Sequence, residues 1–80
     1  MNQIDKVIEM YPDGTFLIVS GMDAAIVGVE YSTLRLVYDV EKIIEVLMKD
    51  MSREDAVEYF DYNILDAYVG EMTPIFINFV

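Results

Sequence analysis

Apolar positions recur along this chain with two periods, one close to 3.6 residues and one of two, and the changeover marks out its elements. Ile4, Val7, Ile8 and Tyr11 stand at i, i+3, i+4 and i+7, which predicts a helix over residues 2–10. Asn2 is placed to cap it, and Asp5 lies near the positive end of its dipole. The rival reading is a strand, because Tyr11-Pro12-Asp13-Gly14 is a strong turn able to close a hairpin. The helical spacing favours the first. After the turn, Thr15-Phe16-Leu17-Ile18-Val19 is β-branched and aromatic and is bounded by Gly14 and Gly21, the pattern of a buried strand over 15–20. Ile26, Val27 and Val29 predict a second strand over 25–31, with Gly28 marking a bulge or a close backbone approach. Ser32-Thr33 connects it to a third over 34–38, where Leu34, Leu36 and Tyr38 alternate with Arg35 and Val37.

The period then lengthens. Asp39 is a good cap for a helix over 40–50, whose Val40, Ile43, Ile44, Leu47 and Met48 form one apolar stripe. Ser52 caps a second helix over 53–68, with Asp55 at the capping-box position and Val57, Phe60, Ile64 and Tyr68 down one face, widened by Ala56 and Ala67. Gly70 and Pro74 stop it, and residues 74–80 alternate as a last strand. The expected fold is α+β: one domain over 1–80, with a three- to four-stranded, mostly antiparallel sheet covered by a helical pair.

Composition narrows the chemistry. The 80 residues include no cysteine and no histidine, which removes disulfides, thiolate zinc sites, a Cys nucleophile and a His base. Fifteen acidic and five basic residues give a net charge of −10, which opposes direct binding to nucleic acid or to an anionic membrane. Neither Gly-rich phosphate fingerprint nor an EF-hand spacing occurs, and no cofactor or metal ligand set is expected. The first residues lack the basic, then apolar, pattern of a secretory signal, and no apolar run reaches membrane-spanning length, so a cytoplasmic location is expected.

What remains is surface. From Asp50 to Glu71 there are seven acids and one base, Arg53. Glu54, Glu58 and Asp61 stand at i, i+4 and i+7, opposite the apolar face, flanked by Tyr59 and Tyr62. The plain reading is a solvated face that keeps an apolar chain in solution. The functional reading is a docking face: carboxylates imitate phosphates for a basic partner, and tyrosines anchor it.

The C-terminal half also carries a resemblance. Met51-Ser52-Arg53-Glu54-Asp55-Ala56-Val57-Glu58-Tyr59-Phe60-Asp61-Tyr62-Asn63, then Ala67 to Phe76, with Gly21 to Gly28 and Val37-Tyr38-Asp39 upstream, resembles a group of small uncharacterised phage and prophage proteins. It spans residues 21–77. It brings no activity residue by residue, and implies a viral or mobile-element origin. Small acidic proteins of that origin without catalytic residues often act by binding host proteins, defence nucleases and polymerases among them. Together these readings lead to a non-enzymatic acidic protein, a DNA mimic that inhibits a host protein with a basic surface through Glu54, Glu58, Asp61, Tyr59 and Tyr62. The alternative is a self-associating structural or accessory phage protein, a homodimer joined through residues 75–80 or through surplus apolar helix surface, whose acids serve only solubility.

Overall fold

The computed structural model describes residues 3–67, 70 and 72–80. The chain is built as α1 (Gln3–Met10), β1 (Ile26–Val29), β2 (Leu36–Asp39), α2 (Val40–Leu47), α3 (Arg53–Tyr59) and β3 (Ile75–Ile77). The α+β class holds: three helices accompany a three-stranded sheet. Its order is β1-β2-β3, with β1 antiparallel and β3 parallel to the central β2. The sheet is mixed, with one antiparallel and one parallel pair; the strand count fits the expectation and its antiparallel character roughly so. Reaching a parallel neighbour needs a crossover, and α2 with α3 supplies it.

The first segment is the helix its spacing favours, with Val7 buried. The Asn2 cap lies outside the described residues. Tyr11 to Gly14 turns as expected, Gly14 N–H donating to the Tyr11 carbonyl at 3.0 Å. The expected strand over 15–20 does not form. Both edges of β2 are already paired, and the segment is held instead by its turn and one side chain. Met22 N–H closes a turn onto the Val19 carbonyl, with Gly21 at φ +79°, a value a residue with a Cβ rarely adopts. Val19 N–H donates to the Tyr38 hydroxyl at 2.9 Å. Phe16, Val19 and Met22 reach the core, while Leu17 and Ile18 stay exposed.

The β1–β2 hairpin carries the irregularity that Gly28 announced: its register shifts between Ile26 and Gly28. The connecting turn is organised by Glu30, whose carboxylate accepts from the backbone N–H and hydroxyl of both Ser32 and Thr33. These four donors hold the Glu30 carboxyl at about 2, well below its ordinary 4.5, the Ser32 and Thr33 hydroxyls contributing most. Leu34 closes the turn at φ +58°, inside the left-handed region.

Both helix caps form as the sequence indicates. The Asp39 carboxylate accepts from Glu41 N–H at 3.0 Å, and Ser52 Oγ from Asp55 N–H at 3.2 Å. α2 buries Ile43 and Ile44 and ends at Leu47, three residues short of the expected range 40–50, followed by a turn. α3 runs on into a π-helical turn, Phe60–Ile64, where Leu65 N–H donates to the Phe60 carbonyl, and then into a 3₁₀ turn, Leu65–Ala67. Of the expected face Ala56, Phe60 and Ile64, four residues apart, are buried, and Val57 and Ala67 are left exposed. Tyr68, its last member, lies outside the described residues. Phe60 meets Phe76 of β3 edge-on, ring centroids 5.3 Å apart, and Phe76 lies 5.9 Å from Tyr38, its register partner on β2. These three rings fasten α3 to the sheet.

Candidate interaction face on the third helix

Ser52 fixes where α3 begins, and the burial of Ala56 and Phe60 fixes which way it turns. The opposite side is left to solvent. Glu54, Glu58, Tyr59, Asp61 and Tyr62 are all exposed, Tyr62 at 71% and Tyr59 at 43%. All but Glu54 divide between two depressions. Glu58, Tyr59 and Tyr62 gather with Asp55, Met51 and Asn63 around an open depression of about 530 Å³. Asp61 lines a second depression of about 410 Å³ on the α2 side, in company with Arg53, Glu41 and Val57. Glu54 borders neither.

Arg53 lines the second depression and is paired there. Its guanidinium bridges to α2, Nη1 to Glu41 Oε1 at 2.6 Å and Nη2 to Glu41 Oε2 at 2.9 Å. That bidentate bond holds the Glu41 carboxyl below the usual carboxylate range and makes the guanidinium bind its proton more tightly. The base of the acidic stretch is thereby engaged by a carboxylate from another helix. Asp55 and Glu58 are left facing solvent beside two phenol rings.

This grouping has a sequence signature that a search for acids alone passes over. Asp55, Glu58, Tyr59 and Tyr62 stand at i, i+3, i+4 and i+7, one helical stripe of two carboxylates and two tyrosines. Met51 and Asn63 join it only because the turn before α3 and the π turn after it bring them alongside. Chemically, the depression offers carboxylate acceptors for charge-assisted hydrogen bonds and aromatic faces for a cation, and it is too open to exclude water from a reaction.

No family model, curated protein or solved structure matches this chain. No helix among the described residues is long and apolar enough to cross a membrane, and no group of three or more acidic side chains among them is placed to hold a metal ion.

Proposed function

We propose that this is a non-enzymatic, phage-encoded interaction protein that binds and blocks a host protein through a basic surface of that partner. The observation that carries the reading is the convergence of Asp55 and Glu58 with Tyr59 and Tyr62 on one exposed face of α3. Two carboxylates beside two phenols suit arginine and lysine side chains: the acids accept their N–H groups, and the rings cover the planar guanidinium. A net charge of −10 adds long-range attraction and speeds encounter with a cationic surface. A nucleic-acid-binding or defence protein of the host cytoplasm presents such a surface, and the carboxylates then stand where phosphates would.

The test is a tagged pull-down from nuclease-treated bacterial lysate at low and high salt, comparing the wild type with a variant carrying Asp55→Asn, Glu58→Gln and Tyr62→Ala. The expected result is one enriched basic protein, retained by the wild type at low salt and lost both at high salt and in the variant. Equal retention by the variant overturns the reading.

A further inference from the structure

A second surface, remote from the acidic face in sequence, is apolar and carries no acid. It is the groove between α1 and β1, of about 370 Å³. One wall is a stripe of α1, Gln3, Lys6, Val7 and Met10, at i, i+3, i+4 and i+7, with Tyr11 just beyond it. The other is all of β1, Ile26–Val29. Successive side chains of a strand point to opposite faces, so four consecutive residues line one groove only where it follows the strand's edge.

That edge is open. Glu30 N–H donates to the Arg35 carbonyl at 2.8 Å. The alternation of an antiparallel ladder then makes Val29–Leu36 a non-hydrogen-bonded pair and turns the Val29 N–H and C=O outward. Among the described residues no backbone hydrogen bond reaches those groups from outside the hairpin. Outward-facing donor and acceptor on one residue, beside a helix that presents the exposed apolar side chain of Met10, suit strand addition by an extended segment.

The chain contains a segment with the matching properties. Residues 78–80 leave β3 outside any helix, Phe79 is 66% exposed, and no charged side chain occurs from Met72 to Val80. β3 lies at the opposite edge of the sheet from β1, with β2 between them, so the segment reaches this groove from another molecule. Charge points the same way. Two copies at −10 each repel, and contact is least costly where neither surface carries an acidic side chain; the groove's one charged lining residue is Lys6. We infer that Asn78–Val80 of one copy adds to the β1 edge of a second, with Phe79 seated against Met10 in the α1–β1 groove. The contact is head-to-tail, so it generates chains or rings rather than a closed twofold dimer. The bulge beside Gly28 shortens the available edge and keeps the association weak. It does not depend on the α3 face.

Light scattering on the full chain over a wide concentration range, at low and high salt, tests this. The expected mass rises above 9.2 kDa with concentration, and rises further as salt screens the repulsion. Phe79→Asp and Met10→Asp, both at exposed positions, each weaken association at least about tenfold while leaving the circular-dichroism spectrum unchanged. Mixed in equal amounts they form a pair and stop there, because Met10→Asp keeps its segment and Phe79→Asp keeps its groove. A wild type that stays monomeric overturns the inference. So does a mixture no better associated than its components, the result expected of twofold pairing through either edge. Association that salt dissolves overturns it too.

Discussion

The Tyr38 hydroxyl accepts a hydrogen bond from the backbone N–H of Val19, 2.9 Å away and nineteen residues earlier in the chain. Tyr38 is fully buried and Val19 nearly so. This bond fastens the irregular segment between α1 and β1 to the central strand, doing with one phenol what strand pairing would otherwise do. Tyr38→Phe keeps the ring and its contact with Phe76 but leaves a buried N–H without that acceptor. The expected loss is about 1–3 kcal/mol, measured as a lower urea midpoint with unchanged slope.

The two caps rank by burial. Asp39 is buried at the junction of β2 and α2, whereas Ser52 is exposed. Asp39→Ala is expected to cost toward the upper end of the range of about 0.5–2 kcal/mol for caps, and Ser52→Ala toward the lower end. Chemical denaturation of the two variants side by side gives the order.

Glu30 makes part of the stability depend on acid. Its folded carboxyl sits at about 2, below the ordinary 4.5 expected of the unfolded chain. A lowered folded value contributes stability that is fully present above the unfolded value and is lost as pH falls through the folded one. The stability difference between wild type and Glu30→Gln therefore shrinks as pH drops from about 4.5 toward 2. A carboxyl-carbon NMR titration placing the Glu30 midpoint at its ordinary value would remove the basis for this.

The two depressions on α3 separate site from general charge. Asp55→Lys with Glu58→Lys is expected to weaken a basic partner at least about tenfold. Asp61→Lys, on the side where Arg53 and Glu41 are paired, has a smaller effect. Titration calorimetry with the captured partner reads both, and a loss of binding free energy for the pair only twice that of Asp61→Lys, in proportion to the charge reversed, would mean that net charge rather than this face governs binding.

Part of the α3 face was legible in advance. Glu58, Tyr59 and Tyr62 follow from helical spacing, since Ser52 and the apolar positions fix the helix and its outward side. The separation of Asp61 from Glu58 was not legible, because it depends on what α2 places alongside: Arg53 reaches across to Glu41, and Asp61 falls on that side. The π turn was hidden for a related reason. Phe60 and Ile64 are four residues apart in either kind of helix, and packing onto Phe76 is what the structure adds.

Local pattern was enough for the helical spacing of α1, the turn at Tyr11–Gly14, an irregularity at Gly28, and the caps at Asp39 and Ser52, although Ile8 of the α1 spacing is exposed. Each rests on interactions among residues a few positions apart. The tertiary structure alone decided that residues 15–20 would not be a strand and that β3 would lie parallel to β2. A β-branched run becomes a strand only where the fold lays it along an unpaired edge; β1 and β3 occupy both edges of β2, and residues 15–20 are held by Val19 on the Tyr38 hydroxyl rather than along either outer edge. Which segment takes an edge is settled by contacts between residues far apart in the chain, and local pattern does not encode them.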